Sequence, residues 1–156
     1  MVLQISSHQE IYDQVEKGVS NSAATLVTGT TIFTIAGGPI AVRFMQAVCV
    51  TGNDATASTL QWSHDPTNGA AATFSGASAS LANAAAGASV TLVPNALTTA
   101  PALAANGPII PTGGGGYGDV ILQPGIITTT IAVGSTTGTW RHFMRYVPMA
   151  RGVTVT

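Results

Sequence analysis

The stretch that decides the fold covers residues 119–156 and reads DVILQPGIITTTIAVGSTTGTWRHFMRYVPMARGVTVT. Residues 126–133 alternate isoleucine and threonine, which is the period and the residue choice of a β-strand. A Gly-Ser-Thr-Thr-Gly turn follows, and residues 139–147 then form a second alternating run. The stretch predicts two long strands joined by a turn, against which the remainder of the chain can pack.

The second of these runs has the highest aromatic content in the chain. Neighbours in a strand point to opposite faces, so one face presents Trp140, His142, Met144 and Tyr146, and the other presents Arg141, Phe143, Arg145 and Val147. Because both faces mix apolar and polar groups, we expect this strand to contact two things, its own core and something outside it. The predicted protein-interface residues on it are Trp140, Arg141, Phe143, Arg145 and Tyr146.

Upstream, the two-residue period begins near residue 23. The clearest run is 40–51, in which strict alternation puts Ile40, Val42, Phe44, Val48 and Val50 on one face and Ala41, Arg43, Met45, Ala47 and Cys49 on the other. Nine or ten short strands separated by Gly/Pro turns indicate an all-β fold. We predict one antiparallel β-sandwich or barrel over residues 23–156, with a jelly roll as the favoured form.

Residues 69–107 are biased towards Ala, Gly, Ser, Thr and Asn, with short strand patterns at 72–74 and 90–93. Small side chains suit tight packing of sheet on sheet, or the close approach of several chains around a symmetry axis. A surface loop is the better interpretation for residues 95–107.

The first 22 residues differ from the rest. Ser7 and Glu10 have the spacing of a helix-capping box, and Gly18 supplies a stop signal. The predicted helix carries an apolar stripe of Ile11, Val15 and Val19, with Tyr12 beside it. Two interpretations remain open: an N-terminal arm with a short helix, or a helix that packs on its own sheet.

Charge limits the choice of partners. Only 7% of the 156 residues are charged, and 5 basic against 6 acidic residues give a net charge of −1, whereas about 25% is usual. Nucleic acid and anionic membranes require a basic footprint, so we expect neither as a partner. A neutral chain is poorly protected against association, which favours a surface that other protein covers.

The sequence offers few candidate catalytic, metal-binding or cofactor-binding residues. The histidines His8, His64 and His142 do not have metal-ligand spacing, and the single cysteine, Cys49, alternates with valines as a buried residue would. A glycine run at 113–118 matches the dinucleotide fingerprint in letters, but a strand follows it where a helix is needed. We therefore expect no catalytic residues, no cofactor, no metal and no enzymatic activity. The N-terminal residues lack the features of a signal peptide, which predicts synthesis in a cytoplasm and, if the protein leaves it, exit by another route.

Carbohydrate binding is the alternative function. Trp62, Tyr117, Trp140 and Tyr146 could supply stacking surfaces for sugar rings on a β-sandwich module. Aromatic residues of a small sandwich are more often found in its core or interfaces.

The C-terminal pattern resembles the decoration (cement) proteins of tailed-bacteriophage capsids. The resemblance rests on a Thr/Ile strand, a Thr-Gly turn, an aromatic and arginine-rich strand, a proline and a Gly-Val ending, at residues 126–133, 137–138, 140–146, Pro148 and 152–153. It implies a β-rich module, often a homotrimer, that binds the major capsid protein on the outer surface of the virion and stabilises contacts between capsid subunits. It also implies that the N-terminal arm interlocks, with Ile11, Tyr12, Val15 and Val19 as interface residues that grip a neighbouring subunit or the capsid. It brings no catalytic residue. For the carbohydrate-binding alternative, the setting would be a module of a phage fibre or surface protein.

Overall fold

A computed structural model describes residues 15–92, 102–104, 119–133 and 137–156. These residues contain strands and no helix. The strands are β1 (Lys17–Ser20), β2 (Ala24–Thr25), β3 (Thr31–Ala36), β4 (Ile40–Thr51), β5 (Leu60–Pro66), β6 (Ala72–Thr73), β7 (Ser89–Leu92), β8 (Ala102–Ala104), β9 (Val120–Leu122), β10 (Gly125–Ile131), β11 (Thr139–Pro148) and β12 (Thr154–Val155).

The strands form two antiparallel sheets. The first has the order β1-β11-β4-β7-β8, with β2 also on β11 and β9 also on β4; the second has the order β12-β3-β10-β5-β6. Eight strands pair as β1 with β11, β3 with β10, β4 with β7 and β5 with β6, so the first four of these strands pair with the last four in reverse order. A long two-stranded ribbon rolled into two sheets has this wiring, which is the jelly roll. The predicted all-β, jelly-roll-like sandwich is confirmed.

One core lies between the sheets. Trp62 and Ile127 from the second sheet and Met45, Trp140 and Met144 from the first are all at most 1% exposed. Burial alternates along β11 as the sequence predicts: the face of Trp140 is buried, and the opposite face reaches the surface. The aromatic strand is therefore the central wall of the core and also a part of the outer surface.

The faces of β4 depart from the prediction. Arg145 pairs with Phe44 and Tyr146 with Val42, so Arg43 is an extra residue in a β-bulge. The extra residue reverses the alternation, and Met45 therefore points into the core while Phe44 lies on the outer face. The predicted grouping of Ile40 and Val42 with Phe44, Val48 and Val50 is wrong beyond the bulge, because a bulge shifts every later side chain by one position.

The N-terminal boundary is also corrected. Lys17–Ser20 is a strand that pairs with β11, in register from Lys17 opposite Tyr146 to Ser20 opposite Phe143. The predicted helix therefore does not extend through Gly18, and the sandwich begins before residue 23. The remaining part of the predicted helical arm, residues 1–14, lies outside the described residues. An open sheet edge beside β11 supplies pairing that outweighs a marginal helix of a dozen residues.

The small residues after β6 seal one edge of the second sheet. The hydroxyl of Ser78 accepts from the backbone N–H of Leu60 at 2.9 Å, and that of Ser75 accepts from the N–H of Trp62 at 2.9 Å. These serines take the place of a neighbouring strand and leave the edge of β5 without open donors at those positions.

None of the described elements is a helix that could cross a membrane.

Candidate interaction surface

On the outer face of the first sheet, phenylalanine and arginine side chains form two neighbouring rows, one on β11 and one on β4. Phe143 is half-buried there, between the exposed side chains of Arg141 and Arg145 on the same face of β11. On the neighbouring strand β4, Gln46 lies opposite Phe143 and Phe44 lies opposite Arg145. The two phenylalanines are thus diagonal neighbours, a separation over which aromatic side chains still touch.

A shallow groove of about 390 Å³ runs beside Phe143. Its lining residues, which define the Phe143 groove, are Gly18, Val19, Ser20, Phe44, Gln46, Phe143, Met144 and Arg145. The groove exists because β1 supplies only small outward-facing residues: Gly18 lies opposite Arg145 and Ser20 lies opposite Phe143. The short side chains of this edge strand, next to the large rings of Phe44 and Phe143, leave a shallow groove with an apolar floor.

Ion pairs close one end of the groove. The carboxylate of Glu16 contacts Arg145, and its other oxygen lies 3.6 Å from Nη1 of Arg43. Arg43 also lies 3.3 Å from Asp119, through Nε. The arginine side chains are 50% and 62% exposed, so each pair contributes less than about 1 kcal/mol to stability. Their effect is to fix the orientation of the arginines.

The structure separates the predicted interface residues of β11. Arg141, Phe143 and Arg145 are on the outer face, where they can meet another molecule. Trp140 is 0% exposed and Tyr146 is 5% exposed, and both belong to the protomer's own core. The interface prediction for these two residues is wrong, because alternation in a two-layer sandwich turns one face of every central strand inward.

Asn53 explains why Trp140 can be buried completely. The indole Nε1–H of Trp140 donates to Oδ1 of Asn53 at 3.2 Å. The amide Nδ2 of Asn53 in turn donates to the Ser58 hydroxyl at 3.3 Å and to the Leu81 carbonyl at 3.1 Å. A buried indole needs such an acceptor, and the network ties the β4–β5 loop to residues near Leu81.

The N-terminal interface predictions have different outcomes. Val19 is partly buried and packs against the core, opposite Met144, so it supports its own sheet. Val15 is 51% exposed at the start of the described chain. Ile11 and Tyr12 lie outside the described residues.

Three of the four predicted sugar-stacking rings are not available as a platform. Trp62, Trp140 and Tyr146 are buried between the sheets, where no sugar ring can reach them. Tyr117 lies outside the described residues. Carbohydrate recognition would therefore need a different set of groups on this surface.

A histidine and a tryptophan meet in the core. The Nε1–H of Trp62 donates to Nδ1 of His142 at 3.3 Å, and the rings stand edge to face with centroids 6.3 Å apart. Burial lowers the pKa of His142 from 6.5 to about 4. The imidazole is therefore neutral at pH 7, and it carries its proton on Nε2 because Nδ1 accepts. It bridges the two sheets and is not accessible to a substrate.

Nucleophile and metal chemistry receive no support within the described ranges. Cys49 is buried as predicted, burial raises the pKa of its thiol, and Sγ donates to the Thr51 carbonyl at 3.1 Å. His64 uses Nε2 to contact the Gln123 carbonyl at 2.9 Å, and burial lowers its pKa. In the described part of the chain, no three His, Cys, Asp or Glu side chains converge as metal ligands would.

The outer face of the second sheet differs from the Phe143 groove in the chemistry of its side chains. Thr34 is exposed there and pairs across the strands with Ile126. Further along, the hydroxyls of Ser63 and Thr130 are 2.8 Å apart. Among the described residues, this face is rich in hydroxyl groups and carries no large ring. It therefore provides a control surface for substitutions in the groove.

Sequence reasoning missed the residues that shape the groove. Gly18, Ser20, Phe44 and Gln46 are brought to Phe143 by the pairing of three strands that are distant in sequence. The only sequence signal for Phe44 was its size, and the bulge at Arg43 concealed its outward direction.

The chain has no match among protein-family models, curated proteins or solved structures.

Proposed function

We propose that this protein is a virion structural protein, a decoration protein that binds the outer surface of a tailed-bacteriophage capsid and stabilises contacts between major capsid subunits. In this proposal several copies of the chain, as a homotrimer, attach together. The virion is its place of action after synthesis in a host cytoplasm.

The proposal rests on which large side chains face the core and which face outward. The core between the sheets is filled by large side chains such as Trp62 and Trp140. The grouped aromatic and arginine residues that remain accessible, Phe143, Arg141 and Arg145, lie on an outward sheet face. Interfaces between proteins are enriched in aromatics and arginine and depleted in lysine and acids. These groups suit binding to protein.

The low charge supports the same conclusion. A chain with 7% charged residues has few groups that must be desolvated when protein covers it, and burying charge is costly. Individually weak neutral contacts suffice when many copies bind a lattice, because each attached copy raises the effective concentration of the next contact. The C-terminal resemblance to cement proteins points to a capsid as that lattice.

The test uses expanded capsids assembled from the major capsid protein of the virus that encodes this chain, prepared without it. Purified full-length protein is added, and the bound fraction is measured by co-sedimentation and by cryo-electron microscopy. We expect saturable binding at a fixed ratio of copies to capsid subunits, together with a higher capsid disruption temperature. Absence of saturable binding at micromolar protein would contradict the proposal.

A matched pair of variants locates the contact. Phe143→Asp places a charge in the Phe143 groove, and Thr34→Asp places the same charge on the outer face of the second sheet. We expect the first to reduce capsid attachment and the second to leave it close to the wild-type level. Equal loss with both variants would indicate non-specific adsorption.

A further inference from the structure

We infer that Asn68 is a site of spontaneous covalent modification, at which the backbone nitrogen of Gly69 attacks the Asn68 side chain and the amide is converted to a carboxylate. The pair lies in the turn between β5 and β6, at the β6 edge of the second sheet. The turn does not line the Phe143 groove, and the inference does not depend on the proposed function.

The reacting groups are accessible and unrestrained. Asn68 and Gly69 are both exposed. Among the described residues, the side chain of Asn68 forms no hydrogen bond, and the backbone N–H of Gly69 donates none. Glycine has no side chain to hinder the approach of its nitrogen to Cγ of the preceding residue. Nothing that the structure describes therefore holds the two reacting atoms apart.

The turn itself requires glycine at position 69. Its φ is +141°, a backbone conformation that L residues rarely adopt. A Cβ at this position would also lie 3.2 Å from Cγ of Pro66, a tight contact. The neighbouring Thr67 is held in place, because its backbone N–H donates to the Pro124 carbonyl at 2.9 Å. The reactive pair is therefore a consequence of the turn geometry.

The other described asparagines are restrained. Oδ1 of Asn21 accepts from the backbone N–H of His142 at 2.7 Å. Asn53 is buried, and both ends of its amide form hydrogen bonds. After Asn83, the nitrogen that would attack belongs to Ala84, and its N–H already donates within a turn at 3.1 Å. The asparagine of the β5–β6 turn is the one described asparagine without such a restraint.

The reaction needs only water. The deprotonated nitrogen of Gly69 forms a bond to Cγ of Asn68, the bond from Cγ to Nδ2 breaks, and Nδ2 takes up a proton and leaves as ammonia. Water then opens the cyclic imide at either carbonyl, which gives aspartate or isoaspartate. Because one neutral amide becomes one carboxylate, the net charge of the chain changes from −1 to −2. The new charge lies in the same turn as the exposed Asp65.

The test incubates the folded full-length protein in water enriched in heavy oxygen, at neutral and at mildly alkaline pH, and follows each asparagine by peptide mass spectrometry. We expect loss of the amide at Asn68 with uptake of one heavy oxygen. The loss should be faster at the higher pH, because the attacking nitrogen must be deprotonated. Asn21, Asn53 and Asn83 should remain amides. The same residue pair occurs at 106–107, outside the described residues, so conversion is assigned by peptide and not from net charge.

Two references complete the test. A synthetic peptide of residues 65–71 gives the rate without the fold, and we expect Asn68 in the folded protein to convert at a comparable rate. Asn68→Gln keeps an amide in the turn but would have to close a larger ring, so it should keep that amide. Thermal melts check that both proteins stay folded during the incubation.

Three outcomes would overturn the inference. The first is an Asn68 amide that persists in the folded protein while the reference peptide converts. The second is conversion of Asn21, Asn53 and Asn83 as fast as that of Asn68. The third is conversion that occurs only after denaturant is added, which would show that the folded turn protects the pair.

Discussion

The indole of Trp62 in the second sheet and the imidazole of His142 in the first are joined by a hydrogen bond of 3.3 Å across the core. The bond needs a neutral histidine, because Nδ1 must accept. Lys17 pairs with Tyr146 on the same sheet, but its side chain forms no ion pair with a described residue, and Asp65 is exposed beside His64 at the other sheet. No carboxylate that the structure describes forms an ion pair with His142.

Stability should therefore fall in acid. The pKa of His142 is about 4 in the folded chain and 6.5 as its ordinary value, so the unfolded state binds the proton more readily. The contribution is fully present above pH 6.5 and is lost as the pH falls towards 4, by about 3 kcal/mol for a shift of this size. Denaturant unfolding at a series of pH values measures it.

His142→Gln is the control, since glutamine can accept from Trp62 and does not titrate. We expect its stability to depend less on pH over the same window. His64, whose pKa burial also lowers, remains in both proteins and adds a loss of the same sign. Equal pH dependence of the two proteins would show that His142 is not the buried titrating group.

Trp140→Ala should damage the fold. The side chain is 0% exposed, and its removal leaves a cavity and an unpaired Asn53 oxygen. We expect a loss of about 4 kcal/mol in the free energy of unfolding. Val50→Ala, at a site 45% exposed, should change it by less than about 0.5 kcal/mol. A stable Trp140→Ala protein would contradict the assignment of this ring to the core.

Gly138→Ala should break the Asn53 network. A Cβ at Gly138 would overlap the amide oxygen of Asn53, which accepts from Trp140. Displacing that amide costs about 2–4 kcal/mol, from strain and lost hydrogen bonds. Gly52→Ala is the matched control in the adjoining loop, because its Cβ would lie 3.5 Å from the Ala84 carbonyl, an ordinary contact. Similar losses for both variants would argue against a steric role for Gly138.

The hydrogen bonds that the hydroxyls of Ser75 and Ser78 accept along the edge of β5 can be tested separately. Ser75→Ala leaves the backbone N–H of Trp62 without its acceptor, and Ser78→Ala does the same to Leu60. We expect each to cost about 1–3 kcal/mol and to speed hydrogen exchange at the exposed amide. Ser80→Ala, at an exposed position, should have little effect. Unchanged hydrogen exchange at the backbone amides of Trp62 and Leu60 would show that these hydroxyls do not protect them.

Alternation made the fold class and β11 predictable. The side chains of residues 140–146 point inward and outward in the order that a period of two requires. The same rule failed on β4, because the bulge at Arg43 leaves no mark in a sequence whose residues on both sides are apolar. The helix prediction failed at Lys17–Ser20. There the capping box and the glycine stop signal indicate a helix, but pairing with the free edge of β11 makes these residues a strand.

The site was predictable only in part, for a related reason. Arg141, Phe143 and Arg145 belong to one strand, so a single run of letters reveals their shared face. Gly18 and Phe44 join them through pairing with two other strands. Strand order is a property of the whole chain, and a local pattern does not encode it.

The pairing of β1 with β11 has a consequence for biosynthesis. Lys17 pairs with Tyr146, so the ribosome must translate the chain through β11 before β1 can pair. Nascent chains would emerge with apolar edges uncovered, and such distant pairings form slowly. Termination before β11 would leave a product unable to close its core, which couples correct folding to synthesis of β11.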